Sequence, residues 1–539
     1  MRCWIAAASI ALFSAASPAA DTADAADDLV SRGEQIYHNG LLASGERLQA
    51  RVQGDVPISG EQLTCTQCHR RSGYGSSESG RRIPAISANV LFTPKTITRR
   101  ELYASREVGA GTRPAYTDES LIRAIRDGID AAGRRLDPSM PRFSLPDEEM
   151  QALLAYLKTL SAEVDPGVSD TELHIATLIG PQVEPQRREA MLRLMETFIT
   201  AKNSGTRLEQ RRAAHTPWQK EASYPAYRQW VLHPWRLEGE AETWPQQLQR
   251  YYEVRPVFAV VGGVVDGDFQ PIADFCNSYT LPCLFPSSSM PAKEPGYYTL
   301  HFNEGRRLEA RTLARHLQEE GLLKPEVSLL QLYRNSDTTG AEALHQALEG
   351  NTTLKDISLS QHEHGAAWQR AKTADVLVLW LEPADLGALA TLPRPWPQRI
   401  YIQSTLDYAL LHELPAELRS RIHLLYPYAL PQEAATQRLR VQAWLRLKGI
   451  EFDSPRVQAD NYFALTLLLD TMHQLRLNFS RNYAIEVIEH MLDSALFTSL
   501  YPQFSLAPGQ RYASKGCYVV RLAETETEGV VAASRWIVP

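Results

Sequence analysis

The sequence predicts a multidomain chain, with a helical N-terminal domain followed by a doubly wound α/β region. Three observations carry this. The chain has 539 residues, 44% hydrophobic and 22% charged, which is enough for more than one core. Helix-spaced apolar residues lie on both sides of a Cys65-Thr66-Gln67-Cys68-His69 pentapeptide. Beyond residue 172, apolar strands alternate with amphipathic helices.

The first residues read as a secretory leader. Arg2 gives a short positive start, Trp4 to Ala16 is apolar, and Ser17-Pro18-Ala19-Ala20 offers small residues for cleavage. Residues 1–20 are therefore expected to leave as a signal peptide, and the mature chain to reach the periplasm. No later apolar run is long enough for a membrane span, so no transmembrane segment is expected in the mature chain. A formal net charge of -7 gives no basic excess, and nucleic acid is not an expected partner.

Cys65-Thr66-Gln67-Cys68-His69 matches the C-x-x-C-H haem-attachment pattern. Each sulfur can close a thioether onto a porphyrin vinyl group, and the following histidine becomes an axial iron ligand. One covalently attached haem c is the expected cofactor, held by Cys65, Cys68 and His69. An Arg32-Gly33-Glu34-Gln35-Ile36-Tyr37 segment precedes it in a helical pattern, with Gly33 free for close helix approach and Tyr37 on the same face. A second helix is expected from Leu145 to Leu160, with Pro146 in its first turn and Asp147, Glu148 and Glu149 near its positive end.

With those residues in place, the N-terminal part resembles the class I cytochrome c family over about residues 28–162. The resemblance implies an all-α cytochrome c domain with a methionine in the loop before the last helix. Asp137-Pro138-Ser139-Met140-Pro141-Arg142-Phe143 occupies that loop, making Met140 the implied sixth iron ligand. Histidine–methionine ligation belongs to electron carriers. Pro84 is the implied acceptor for the proximal histidine's Nδ1 hydrogen. Met150 falls inside the last helix and is expected in the core. The stretch from Leu41 to Leu63 exceeds what a small cytochrome needs, and no role is read for it.

Residues 163–171 are polar and turn-forming and read as a linker. Strands are then expected at Leu173–Ile179, Pro256–Gly263, Pro282–Phe285, Val327–Tyr333, Val376–Trp380 and Ile400–Gln403, with helices over Glu184–Thr200 and Pro271–Tyr279 among those between them. Such alternation means a parallel sheet with ligands at strand C-termini. Gly262-Gly263 lacks the G-x-G-x-x-G pattern, so no nucleotide site is expected.

Phe258-Ala259-Val260-Val261-Gly262-Gly263, Leu281-Pro282-Cys283-Leu284-Phe285 and Ala374-Asp375-Val376-Leu377-Val378-Leu379 resemble the type I periplasmic binding proteins, the branched-chain amino-acid-binding class of ABC transporters. That resemblance covers residues 172–539. It implies two α/β lobes joined by three crossings, with ligand in the cleft. Loop residues then become candidates for binding a small polar molecule: Ser287, Ser288, Tyr333, Ser404 and Thr405, with Asp337, Tyr426 and Tyr428 at further loop positions. Amino-acid-binding relatives usually carry a serine after the third-strand glycine turn. Here that region reads Val264-Val265-Asp266-Gly267-Asp268, a departure that argues against an amino-acid ligand.

Of the remaining cysteines, Cys276 and Cys283 are spaced for a local disulfide in an oxidising compartment, while Cys517 is odd and expected in a strand. Three functions follow. The first is a periplasmic monohaem electron carrier fused to a ligand-binding or sensing module, working with a periplasmic redox partner protein. The second is the solute-binding protein of an ABC-type uptake system with an accessory haem. The third is catalysis at an open haem position, such as peroxide reduction. An electron carrier fits the residues better than a catalyst, because no paired carboxylates or Ser/His/Asp set stands out.

Overall fold

The computed structural model describes residues 18–52, 56–60, 63–78, 81–97, 111–215, 228–348, 354–360, 364–381, 383–404, 409–476, 478–494, 499–524 and 529–539. The expected leader falls mostly outside the described residues, which begin at Pro18. The chain divides between Val164 and Asp165, within the span read as a linker. Among the described residues, no helix is long and apolar enough to cross a membrane.

The first unit is built on two helices, Pro18–Asn39 and Asp147–Thr159, which touch at Gly33. A Cβ on Gly33 would lie 2.0 Å from the Ala152 carbonyl oxygen, so only glycine allows this approach. Ile36 and Tyr37 are completely buried there against Met150, Leu153, Leu154 and Leu157. The Tyr37 hydroxyl donates to the Arg70 carbonyl at 2.7 Å, tying the first helix to the chain after the pentapeptide. A third helix, Asp118–Asp127, starts on a Thr117–Ser120 capping box and stops at Gly128 with φ +68°.

The all-α expectation for this unit needs correction. It carries three small antiparallel sheets among its described residues. β1 (Gln49–Val52) pairs with β2 (Val56–Ser59) and also with β7 (Arg142–Phe143). β3 (Ser76–Glu78) pairs with β4 (Arg81–Ile83), and β5 (Lys95–Ile97) with β6 (Gly111–Arg113). These segments lie between the helices, where the sequence lacks helical periodicity. The stretch Leu41 to Leu63 thereby gains a place in the fold. Its strand β1 aligns Ala50 with Phe143, backing the chain just after Met140.

The second unit holds two seven-stranded sheets. The first comprises β8 (Glu172–Ile179), β9 (Gln229–Arg236), β10 (Ala259–Val261), β11 (Val264–Asp268), β12 (Cys283–Leu284), β13 (Ser287–Met290) and β14 (Thr299–Leu300). Its order is β13-β11-β8-β10-β12-β14, with β9 also on β8, and every pair is parallel. The second comprises β15 (Leu329–Arg334), β16 (Lys355–Leu359), β17 (Val376–Trp380), β18 (Arg399–Ile402), β19 (Ile422–Tyr426), β20 (Tyr518–Leu522) and β21 (Val530–Ala532). Its order is β16-β15-β17-β18-β19-β20-β21, parallel except for the last two strands.

The chain passes between the sheets three times. It leaves β14 for the helix Arg306–Glu319 against β19, returns after β19 to the helix Pro455–Leu475 against β10 and β13, and leaves again for β20. The first and third passages run side by side, with His301 donating to the Arg511 carbonyl at 2.8 Å and Ser514 to that of Phe302 at 2.7 Å. This is the two-lobed α/β architecture expected for residues 172–539, with an antiparallel edge added.

Two expected elements end differently. The helix expected over Glu184–Thr200 runs from Pro185 to His215. Val264 to Asp268, the region after the glycine turn, is the strand β11, entered through Gly262 and Gly263 at φ +56° and +102°. The start of the linker is docked. Buried Arg481 donates to the carbonyls of Pro166, Val257, Phe258 and Tyr279, while its own amide donates to Asp165 at 2.6 Å.

Two outcomes follow for the first unit. Gly33→Val should lower its stability by at least about 2 kcal/mol in urea unfolding, because backbone on the facing helix cannot yield. His38 is held 2.8 Å from the Tyr156 hydroxyl, and burial, with Arg71 nearby, pushes its pKa down to about 3. Unfolded chain takes up that proton near pH 6.5, so this stability is complete above 6.5 and is lost as pH falls toward 3. The loss is bounded by ~5 kcal/mol. His38→Gln should flatten the pH dependence of unfolding across that window.

Candidate functional site

Two places in the chain gather chemistry. In the first unit, Cys65–His69 forms a five-residue helical turn, which sets Cys65 and Cys68 about one turn apart with His69 beside them. His69 is 8% exposed, and its Nδ1 lies 3.0 Å from the Pro84 carbonyl oxygen. A carbonyl can only accept, so Nδ1 carries the ring hydrogen and Nε2 keeps its lone pair. Burial pushes the His69 pKa down, keeping the ring neutral.

The chain returns to His69 through two glycines, Gly73 and Gly75, at φ +72° and +77°. A Cβ on Gly75 would lie 2.2 Å from the Ile83 carbonyl oxygen and 2.9 Å from that of Pro84. The Ile86 amide donates to Gly73 at 2.7 Å and closes the loop. Cys65 is partly buried and Cys68 exposed. Burial and the neighbouring Cys68 push the Cys65 thiol up to about 12.

This donor set fits a covalently attached haem c. Two thiols stand one turn apart beside a neutral imidazole whose free nitrogen is already selected. Among the described residues, no group of three or more His, Cys, Asp or Glu could hold a metal ion. Met140, half-buried, ends a turn that Asp137 opens. The Asp137 carboxylate accepts from the Ser139 amide at 2.9 Å and its hydroxyl at 2.7 Å, and Met140 donates to the Asp137 carbonyl at 3.1 Å. Met150 is fully buried in the core, as expected.

In the second unit, strand ends and two helices bring charged side chains together between the sheets. Ser287 lies beside the Asp460 carboxylate and favours its charged form, and both are almost fully buried. Asp460 and Arg456 sit four apart on the helix Pro455–Leu475, with Nε and Oδ2 3.5 Å apart. The Arg456 guanidinium lies 5.3 Å from the Tyr428 ring centre, and Tyr428 in turn meets the Tyr501 ring at 5.1 Å. From the other lobe, buried Glu309 accepts from the Ser404 amide at 3.0 Å and from its hydroxyl, while Arg306 pairs with Asp337.

Burial pushes Asp460 up to about 6 against the pull of Arg456, and pushes Glu309 up against its Ser404 hydrogen bonds and the two arginines. Five buried atoms of this cluster close no hydrogen bond: Ser288 Oγ, Asp337 Oδ2, Arg456 Nε, Asp460 Oδ2 and Tyr501 Oη, although Asp337 Oδ2 is ion-paired with Arg306 and Arg456 Nε with Asp460 Oδ2. Buried polar atoms left this way are rare and mark places where water or a ligand completes the set.

Ser287, Ser288 and Ser404 therefore join one polar cluster, along with Asp337 and Tyr428. The two serines lie on strand β13 rather than in a loop, paired with Val264 and Val265. Tyr333 does not join them. It packs on the side of β15 with Leu329, and its hydroxyl answers to Asp356 and Glu342. Thr405 lies outside the described residues. Cys276 and Cys283 are buried against each other as free thiols, so the expected bridge is not made in this structure.

Arg456, Asp460 and Glu309 escaped sequence reading because they sit inside helices rather than after strands. The signal was an arginine and an aspartate four apart on a helix otherwise occupied by Val457, Phe463, Leu465 and Leu468.

Searches among known proteins give a fold-level likeness. No family model and no curated protein sequence matches the chain. Among solved structures, it is similar to a fatty acid ABC transporter substrate-binding protein from Thermomonospora curvata, at 13% identity and a TM-score of 0.49, covering 70% of this chain and 95% of that one. A solute-binding protein of an ABC transporter from Rhodopseudomonas palustris, in complex with 3,4-dihydroxybenzoic acid, gives 13% identity and 0.49 over 69% and 98%. The branched-chain amino acid transporter substrate-binding protein of Streptococcus pneumoniae, in complex with isoleucine, gives 11% and 0.48 over 68% and 100%.

Asp460→Ala would leave the mostly buried Arg456, 25% exposed, without its counter-charge. A loss of about 2–3 kcal/mol in the unfolding of the second unit is expected, milder than a fully buried pair would show. Urea unfolding of the variant at pH 7.5 measures it.

Proposed function

We propose that this chain is an exported one-electron carrier, whose first unit holds a single haem c and whose second binds a small polar molecule between its lobes. The Nδ1 of His69 on the Pro84 carbonyl carries the reading, because it presets the free nitrogen that an axial ligand needs. Cys65 and Cys68 would take the covalent attachments, and His69 and Met140 the two axial positions. Bound haem supplies a one-electron couple that no side chain of this chain offers. The protein's own residues do the rest: Pro84 holds the proton on Nδ1, and the loop through Gly73 and Gly75 keeps water from the imidazole. Export through the leader to the periplasm, and a periplasmic redox protein as partner, belong to the same reading. In that oxidising compartment Cys276 and Cys283, already neighbours, would form their disulfide.

A second reading makes the chain the solute-binding protein of an ABC-type uptake system with an accessory haem. The interlobe cluster favours it, since the buried Ser288 hydroxyl beside the Arg456–Asp460 pair closes no hydrogen bond within the protein.

Two measurements test the pair. Reductive titration of purified exported protein should take up one electron per chain, and His69→Ala should change its spectrum and potential. Uptake of none ends the carrier reading. Native mass spectrometry should find a small molecule that Arg456→Ala loses or binds at least about tenfold more weakly. Equal capture by the variant removes the cluster from binding.

A further inference from the structure

We infer that Arg142 is the positioning residue for Met140, an inference that rests on the reading of Met140 as the axial ligand. Arg142 begins β7, two residues after Met140, and its guanidinium turns back over the preceding turn. Nη1 donates to the Met140 carbonyl at 2.5 Å, and Nη2 donates to the carbonyls of Leu136 at 3.2 Å and Asp137 at 3.4 Å. One cation thus gathers three carbonyls spanning the turn that ends in Met140. A planar, multi-donor fork suits this; a lysine ammonium offers one point charge.

The surroundings are shaped around that side chain. Gly128, at φ +68°, leaves the room it occupies, since a Cβ there would lie 1.9 Å from Arg142 Nε. The Gly128 carbonyl accepts from the Leu136 amide at 2.8 Å, anchoring the start of the same turn. On the other side, Arg142 aligns with Arg51 on β1, so its backbone is fixed by the sheet while its side chain holds the turn. The hydrogen bonds of the Arg142 guanidinium described above all end on backbone carbonyls. Arg142 therefore spends its charge on backbone, which is the arrangement a clamp requires.

The consequence is a population effect. An outside ligand can reach the sixth iron position only when the Met140 turn opens, so its apparent affinity scales with the open fraction. Loss of the clamp removes charge-assisted hydrogen bonds and should raise that fraction by about tenfold or more.

The test uses full-length, haem-loaded, oxidised protein titrated with imidazole, while the sulfur–iron charge-transfer band is followed. Arg142→Ala should bind imidazole at least about tenfold more tightly and lose the band at lower imidazole. Arg142→Lys should fall between the wild type and Arg142→Ala. If Arg142→Ala does not mature, Arg142→Gln, which keeps an amide donor, should show the same intermediate affinity. Unchanged imidazole affinity in these variants, with the band lost in Met140→Ala, overturns the role of Arg142 and leaves Met140 as ligand. A band that survives Met140→Ala overturns both.

Discussion

The hydrogen bond between His69 and the Pro84 carbonyl is the constraint on which the first unit turns. It decides which imidazole nitrogen is free, and it can form only because the chain reverses twice in the left-handed region, at Gly73 and Gly75. The same loop is bound from below by Tyr37, which reaches Arg70 from a helix that can come close only at Gly33. A contact between two helices far apart in sequence therefore sets the orientation of one ring. Elsewhere in the unit, β1 pairs with the strand that follows Met140.

The second unit solves a different problem. Two sheets must share a polar seam, and burying charge there is costly unless each charge is matched. Asp460 is matched by Arg456 and Ser287, Glu309 by Ser404, and Asp337 by Arg306. Ser288 Oγ, buried in the same seam, closes no hydrogen bond. The aromatic neighbours Tyr428 and Tyr501 close the seam with rings, where apolar faces can meet the guanidinium.

Much of this was legible in the amino-acid order. The strand Val376–Trp380 was read to the residue, because five consecutive apolar residues between polar turns leave little choice. Gly33, Tyr37 and the helix before residue 160 follow helical spacing, whereas Pro84 was implied only by the family resemblance. The small sheets of the first unit were missed, since strands of two to four residues carry no periodicity to read. Ser287, Ser288 and Ser404 could be found by their position after strands, whereas Arg456, Asp460 and Glu309 could not. Their partners come from other elements, and a helix sequence does not tell which of its charges will be buried. Tyr333 shows the opposite limit: position at a strand end does not fix the face, and its side chain went to the other side of the sheet.

The direct test of the central claim is denaturing mass spectrometry of the purified, exported protein after thiol alkylation. If Cys65 and Cys68 hold a haem, the peptide containing residues 65–69 retains the added porphyrin mass, and neither cysteine takes up the reagent. A colourless protein in which both cysteines alkylate would contradict the account.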